Sequence, residues 1–548
     1  MESASHADVL LVEDLGQQRL PARSLAAVLR RAGLSAQLVP FGAGDDPDEI
    51  VALAHNTQPH LVVLSILFAH RVAESLALAS RLRAAGVPAH VTMVGPLPTF
   101  AYADLLAACR ALDSVLRGEA EASIVHLAAA CLARPLASSL QAAISPAEAL
   151  TPAVCADVPG LAYRSPDVRA NPLPASIPDL DAMPFPARDD GLPTLNDFGF
   201  ATVEGSRGCY HFCAFCLPCA FYRASAGSPY RLRSIPNLVD EIEELYGRGT
   251  RLFLFDDEQF LPPGRARAGR VQVLSDQLER RRLNIAFTIK CRADDVDEAL
   301  FRQLKALGLI RVYLGVESGC QVSLDRLGKG VTAACNAQAL ARLDALDIVA
   351  DFRCLLFHPW STLETIRADI EFLDQVLAHI STPYTFHEVE CYPGTLLAER
   401  LQAEGRARVG QVANLSYSIA DAGAELLRRL GRVVFGTRDA DQGIHRQVVQ
   451  AWYDSLLLRR FRPERFAGDK ARALRNIVAR LNYESLAIWR EMLSIADGSD
   501  LYDADRVNEY AAAWASRVNT FDMTVGEELT LAKVSKPSQG SKTESIEH

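Results

Sequence analysis

Short apolar runs alternate with amphipathic stretches along the first 130 or so residues. Val9–Glu13, Ala36–Phe41, Leu61–Phe68, His90–Gly95 and Ser114–Arg117 have the length and branched side chains of buried strands, and apolar residues between them recur at helical spacing, as at Leu25, Val28 and Leu29. This βαβα order predicts a doubly wound, Rossmann-like parallel sheet over residues 1–133. Residues 134–198 lose the rhythm: Pro172, Pro174, Pro178, Pro184 and Pro186 lie among Ala, Ser and Asp, which predicts a linker with a few ordered strands. From residue 199 the alternation returns on a larger scale. Strands are expected at Thr202–Glu204, Leu252–Phe255, Ile285–Ile289, Arg311–Val316, Ala350–Phe357 and Thr385–Cys391, separated by stripes such as Leu238, Ile242, Leu245 and Ile366, Ile370, Leu373. Six successive βα units over 199–400 predict a partial (β/α)6 barrel, a fold that carries its chemistry at the C-terminal ends of its strands. Residues 401–530 show helical stripes only, including Val448, Trp452, Leu456 and Ile477, Leu481, and read as an α-helical cap. The last segment, 531–548, sets Lys533, Lys536 and Lys542 among Ser, Gly and Pro and reads as a disordered tail. The fold class is α/β.

Composition narrows the function. Apolar residues make up 49% and charged residues 23% of the 548, an ordinary globular mix that excludes wholesale disorder and fibrous repeats. The net charge of −10, with no basic stripe, gives little to pair with a phosphate backbone, so a nucleic-acid partner is not expected. The longest apolar stretch, around Leu61–Ala69, is interrupted by Ser65 and is far shorter than the roughly 20 residues of a membrane span. Met1–Asp8 carries no basic region ahead of an apolar block, so a cytoplasmic protein without a membrane partner is expected.

Twelve cysteines in a reducing compartment need a use other than disulfides. Eight are scattered, but Cys209, Cys213, Cys216 and Cys219 fall within one loop directly after the first barrel strand. Three thiolates at spacings of four and three can converge on one face of a cubane iron–sulfur cluster and leave its fourth iron open. A structural zinc site with Cys219 as fourth ligand is the competing reading, although such sites usually pair hooks from two separated segments.

Cys209-Tyr-His-Phe-Cys213-Ala-Phe-Cys216 resembles the Cys-x3-Cys-x-aromatic-Cys motif of the radical S-adenosylmethionine superfamily. The resemblance implies a [4Fe–4S] cluster on Cys209, Cys213 and Cys216 whose open iron chelates the amino and carboxylate groups of S-adenosylmethionine, with Phe215 beside the adenine. It further implies Asp256 and Asp257, closing the second strand, near the methionyl ammonium, and Glu317 with Ser318, closing the fourth, at the ribose hydroxyls. Arg292 and Arg353 are candidate partners of the methionine carboxylate, and the Tyr392-Pro-Gly-Thr395 turn approaches adenine. Cys219 is additional to the motif, either packing or a thiol behind the ligands.

Upstream, Ser65-Ile-Leu67, Gly95-Pro96 and Arg117-Gly118-Glu119 resemble the elements that line the nucleotide tail in the cobalamin domain of class B radical S-adenosylmethionine enzymes. No Gly-x-Gly-x-x-Gly or Walker loop competes with that reading. Domains that supply a lower axial histidine carry Asp-x-His-x-x-Gly. Here Asp14-Leu-Gly-Gln-Gln-Arg19 has none, which implies base-off cobalamin without a histidine beneath it; His70, next to the Ser-x-Leu strand, could in principle substitute but reads first as a surface or loop histidine.

The chain thus resembles the cobalamin-dependent (class B) radical S-adenosylmethionine methyltransferase family over about residues 7–400. The resemblance implies that cob(I)alamin takes a methyl group from one S-adenosylmethionine and that a second is cleaved to a 5′-deoxyadenosyl radical. That radical activates an unactivated carbon or a phosphinate centre of a natural-product intermediate, which then collects the methyl group. Cyclisation, ring contraction or oxidation with the same cofactors is the alternative. A methylthiotransferase would need a second cysteine triad and a basic RNA-binding module, and a non-catalytic sensor would have no use for the strand-end motifs. The expected partners are a small-molecule or peptide substrate chosen by the helical cap and an external flavodoxin- or ferredoxin-type electron donor, with the protein a monomer.

Overall fold

The computed structural model describes residues 6–13, 19–132, 155–189, 191–195, 197–384, 386–410, 412–413, 415–438, 443–466, 468–496 and 504–532. The tail expected over 531–548 begins two residues late, since 531 and 532 still belong to the helix Ala504–Ala532; its remainder, from 533 on, and the segment 14–18 of the missing-histidine motif lie outside the described residues.

Five parallel strands open the chain: β1 (Val9–Glu13), β2 (Ala36–Pro40), β3 (Leu61–Ser65), β4 (His90–Val94) and β5 (Ser114–Leu116). They are ordered β2-β1-β3-β4-β5. Helices 21–31, 47–57, 72–84, 96–108 and 120–132 connect and cover them. Alternate residues of one strand feed opposite cores. Leu10, Val12, Val62 and Leu64 join Leu78, Leu82, Leu97 and Leu105 on one face. Val9, Leu11, Leu61 and Val63 join Leu25, Leu29 and Ile124 on the other. Burial on both faces is why these strands read as continuous apolar runs. In this strand order the topological switch lies between β1 and β3, where doubly wound sheets open a crevice at the carboxyl ends.

Within the expected linker, β6 (Leu161–Ser165) and β7 (Asp167–Ala170) form a hairpin that extends the sheet antiparallel to β5, with Ser114 opposite Tyr163. A second sheet follows: β8 (Thr194–Leu195), β9 (Phe198–Val203), β12 (Thr250–Phe255), β13 (Ala286–Arg292), β14 (Leu309–Gly315) and β15 (Val349–Asp351). Strands β9 and β12 to β15 are parallel neighbours, and β8 pairs antiparallel with β9. Its helices start at capping side chains, Ser234, Asp297, Thr332 and Thr362, each accepting from a backbone N–H of the first turn.

The run Ala350–Phe357, expected as one strand, is two. After Asp351 the chain leaves β14, and β16 (Cys354–Phe357) pairs instead with β17 (Phe386–Glu388). Among the described residues an isolated bridge between Glu317 and Cys354 links β16 to the end of β14. Asp351, the last residue of β15, is paired with the buried Arg311 of β14. An antiparallel ribbon of β10 (Ser206–Gly208) and β11 (Tyr230–Leu232) brackets the cysteine loop.

Four helices, Ala422–Phe435, Ile444–Phe461, Gly468–Ala496 and Ala504–Ala532, close the open side of this half-barrel. Phe200, Leu252, Leu254, Ala286 and Val349 of the sheet pack on Val448, Trp452, Leu456 and Leu481. Arg311 donates to Tyr453 Oη at 2.5 Å across the same seam. Among the described residues no helix is long and apolar enough to cross a membrane.

Candidate cofactor and active site

The cysteine loop is clamped from several sides. Gly208 precedes it at φ +79°, and a Cβ there would stand 1.9 Å from the Pro229 carbonyl oxygen, so only glycine lets β10 pass this close to β11. Ala214 N–H donates to Leu327 O at 2.8 Å, and Leu397 N–H donates to Ala214 O at 2.8 Å. Tyr210 Oη donates to both carboxylate oxygens of Asp295 at 3.1 Å. The loop is therefore pinned by turns from three later βα units.

The three motif thiols are half-buried. Contact with the Cys219 thiol, aided by the His211 N–H and the cations of Arg292 and Lys329, holds Cys209 down to about 6, whereas burial pushes Cys213 up to about 11. A tetrahedral zinc with Zn–S near 2.3 Å brings sulfurs within about 4 Å of one another. Among the described residues the only three metal-ligating side chains whose ligand atoms converge within 4.8 Å are His6, Asp8 and His60, far from this loop. Among the described residues the loop thiols are not drawn together to that spacing, and three of them could each serve a separate iron of a larger group.

Around the loop stand the other strand ends. Glu317 sits at φ +65°, a strained conformation for a non-glycine residue, and its Oε1 accepts from Lys329 Nζ at 2.9 Å. Lys329 is buried, and its charge faces Cys213 as well. Arg292 donates to Asp294 at 2.9 Å, while its buried Nη1 finds no partner among the described residues, a donor left over for an anion. Phe215 is half-buried against the barrel core. Asp256 is exposed and paired with Lys290 at 2.7 Å. Arg353 is exposed, and its charge is felt by Tyr313, His387 and Glu390.

Other expected residues are already committed. Asp257 is fully buried and accepts from Gly205 N–H at 3.1 Å and Ser206 Oγ at 2.5 Å, so it shapes the approach to the loop instead of offering a free carboxylate. Ser318 Oγ donates to Asp369 at 2.6 Å. Tyr392 packs against the core of the first sheet unit, and Gly394 of the same turn lies against Phe100, so this turn joins the two units.

At the switch point of the first sheet a small pocket opens, with a cavity volume of about 20 Å³, lined by Val12, Glu13, Arg19, Ser65, Leu67, Phe68 and Arg71. Ser65 Oγ donates to Glu13 Oε1 at 2.7 Å, and Ala22 N–H donates to Glu13 Oε2 at 3.1 Å. Burial pushes the Glu13 carboxyl up to about 7. Gly95, at φ +129°, brings the end of β4 so close to β3 that a Cβ would meet Ile66 O at 2.1 Å. Pro96 begins the next helix, whose Thr99 Oγ1 donates to Gly95 O and accepts from Gly118 N–H. Arg117 stacks on Tyr102 at 4.4 Å and donates to Thr99 O. Phe68 carries the Arg19 guanidinium at 4.8 Å and the exposed His70 ring, stacked at 5.6 Å, so His70 lies on an aromatic at the cavity rim. Glu119 differs from its expected place beside the nucleotide tail. Its Oε1 accepts from Arg207 and Arg231 at 3.0 and 3.1 Å, and its Oε2 from Arg231 and Ile177 N–H at 2.7 and 3.0 Å. Both oxygens are used in joining the first unit to the barrel.

Residues 17–128 match the B12 binding domain, and residues 203–373 match the Radical SAM superfamily. The chain belongs to the cobalamin-dependent radical S-adenosylmethionine family. Its cofactors are cobalamin, S-adenosylmethionine and a [4Fe–4S] cluster. An uncharacterized methyltransferase of Pyrococcus horikoshii is 27% identical over 326 residues, 56% of this chain and 62% of the relative. The anaerobic magnesium-protoporphyrin IX monomethyl ester cyclase of Rubrivivax gelatinosus is 28% identical over 293 residues, 51% of this chain and 48% of the relative. The chain therefore spans between about half and two thirds of these relatives. The cobalamin-dependent S-adenosylmethionine radical enzyme OxsB superposes with a TM-score of 0.67 at 16% identity, covering 96% of this chain and 81% of that one, a likeness of fold.

Three residues escaped the sequence reading. Lys329 lies between two glycines and looks like a turn lysine, Glu13 looks like the polar end of a strand, and Arg207 is one of many arginines. Lysine is rare in this chain, and that rarity was the one available signal for Lys329.

Proposed function

We propose that the chain methylates an unactivated carbon or phosphinate centre of a small-molecule or peptide natural-product intermediate. The observation that carries the proposal is the direct joining of the two cofactor-bearing units. Arg207, two residues ahead of Cys209, is ion-paired with Glu119 at the rim of the cobalamin sheet. A chain that locks these sites together is built for both to act on one substrate. When bound, the cluster supplies the electron that cleaves S-adenosylmethionine, and cobalamin supplies a carrier for the methyl group.

The chain's own residues bind, orient and exclude water. Cys209, Cys213 and Cys216 would hold three irons. The spare Nη1 of Arg292 suits the methionine carboxylate, and the Glu317 carboxylate, oriented by Lys329, suits two ribose hydroxyls. Phe215 would flank the adenine. Ser65, Leu67 and Gly95 would floor the cobalamin site. Asp256, Lys290, Tyr313 and Arg353 line the barrel interior and offer both charges to a polar substrate. The protein is read as a cytoplasmic monomer that takes its electrons from a flavodoxin- or ferredoxin-type donor.

The Rubrivivax relative supports a second reading, cyclisation or oxidation without methyl transfer. Anaerobic protein loaded with cobalamin and cluster, given reductant, S-adenosylmethionine with a labelled methyl group and candidate intermediates, separates the two. Label in a product heavier by one CH2 supports methylation, and a product without label overturns it. Cys213→Ala should abolish both cluster absorbance and S-adenosylmethionine cleavage.

A further inference from the structure

At the N-terminal ends of β1 and β3, opposite the crevice at their carboxyl ends, the fold gathers three side chains that neither cofactor site uses. The two strands run parallel with Val9 opposite Leu61, so the residues just ahead of them, Asp8 and His60, are neighbours, and His60 N–H donates to Asp8 O at 3.0 Å. His6 brings its ring over the same spot. Its centroid lies 5.9 Å from that of His60, with the ring planes at 86°. One ligand atom from each of His6, Asp8 and His60 falls within 4.8 Å of the other two. Both histidines are exposed and Asp8 is buried, so the group is open to solvent on one side and anchored on the other.

The surroundings orient these groups as partners behind metal ligands do. Asp8 Oδ2 accepts from Ser35 N–H at 2.8 Å and from Ser35 Oγ at 3.0 Å, which fixes the carboxylate with Oδ1 3.3 Å from His6 Nε2. His6 Nδ1 lies 3.1 Å from Thr57 O. A neutral imidazole has one N–H, and both of these neighbours are acceptor oxygens. With the hydrogen on Nδ1 and donated to Thr57 O, the Nε2 lone pair faces the Asp8 carboxylate, an arrangement that a cation between them completes. Thr57 closes the helix Pro47–Thr57, and the negative end of that helix dipole favours a cation here. We propose that His6, Asp8 and His60 bind zinc(II) through two imidazole nitrogens and one carboxylate oxygen, with water in the remaining position. Nitrogen and carboxylate donors without a thiolate are a normal zinc set, and three protein ligands leave the fourth place of the tetrahedron open. The ion fastens the lead-in of β1 to the start of β3 and stabilises the folded first unit, since the unfolded chain does not hold the three ligands together.

The test uses the untagged full-length chain, loaded anaerobically with cluster and cobalamin so that iron occupies the cysteine loop. Wild type, His60→Ala and the double variant His6→Ala/His60→Ala are dialysed to equilibrium against buffered zinc(II), and zinc, iron and cobalamin are then measured together with the melting temperature. The expected result is one zinc per chain in wild type with iron and cobalamin unchanged, loss of that zinc in both variants, and a melting temperature that zinc raises in wild type alone. His60→Gln keeps a polar side chain of similar reach and carries the test if the alanine variants do not fold. A wild type that takes up no zinc would leave His6 and Asp8 a plain ion pair and overturn the proposal. Zinc taken up equally by wild type and the histidine variants, or taken up at the expense of iron, would place it on the loop thiols and also overturn it.

Discussion

Arg207 donates to Glu119 at 3.0 Å across 88 residues of sequence, and both side chains are buried. The same guanidinium pairs with Glu121 at 2.7 Å and Glu204 at 2.9 Å, so one cation next to the cysteine loop answers two carboxylates of the first unit and one of its own. Breaking a buried pair costs about 3–5 kcal/mol, and although Arg231 still answers Glu119, Glu121 loses the cation it pairs with. Arg207→Ala is expected to lower stability by about that amount and to loosen the two units. Thermal unfolding and limited proteolysis check it, and a variant that unfolds like wild type would show that the pairs contribute nothing to docking.

Much of this architecture was legible because burial on both faces writes β1 to β5 as unbroken apolar runs, and because the cysteine loop carries its ligands within eight residues. The break between β15 and β16 was hidden by the apolar residues on either side of Arg353; it shows only in the pairing, β15 with β14 and β16 with the distant β17, which no local pattern announces. Glu119 was misplaced for the same reason. Its motif position fits a cofactor-lining residue, and only the fold brings Arg207 and Arg231 to both of its oxygens.

Glu13 makes stability depend on pH. Its folded carboxyl titrates near 7, raised from 4.5 by burial, so between these values the folded chain holds a proton that the unfolded chain has released. Stability from this group is full below 4.5 and is lost as pH rises through 7, a total on the order of 3 kcal/mol at about 1.4 kcal/mol per unit. Glu13→Gln removes this dependence. The melting temperature of the variant should fall less than that of wild type between pH 6 and 8, and parallel curves would refute the assignment.

Gly95 and Gly33 both have positive φ, but only Gly95 is crowded. A Cβ at Gly95 overlaps Ile66 O at 2.1 Å, and at Gly33 it meets nothing within 4 Å. Gly33→Ala should cost only backbone strain, about 1 kcal/mol or slightly more. Gly95→Ala must also part the ends of β3 and β4. It is expected to lose cobalamin on gel filtration, seen as lost corrinoid absorbance, while Gly33→Ala retains it. Equal retention in both would separate this strand junction from the cofactor site.

Lys329 holds Glu317 in place at 2.9 Å, and Glu317 is the one strand-end acid in a left-handed conformation. Without the ammonium group the carboxylate loses its fixed direction and the site loses a buried cation near the cysteine loop. Lys329→Met keeps much of the side-chain volume and removes the charge. S-adenosylmethionine affinity should then fall about tenfold, equivalent to about 1.4 kcal/mol. Iron content should stay unchanged, because Lys329 is not a ligand. Equilibrium binding to the reconstituted protein measures the first and iron assay the second. Wild-type affinity in the variant would remove Lys329 and its acid from the S-adenosylmethionine site, and loss of iron with it would place the lysine's role in building the loop.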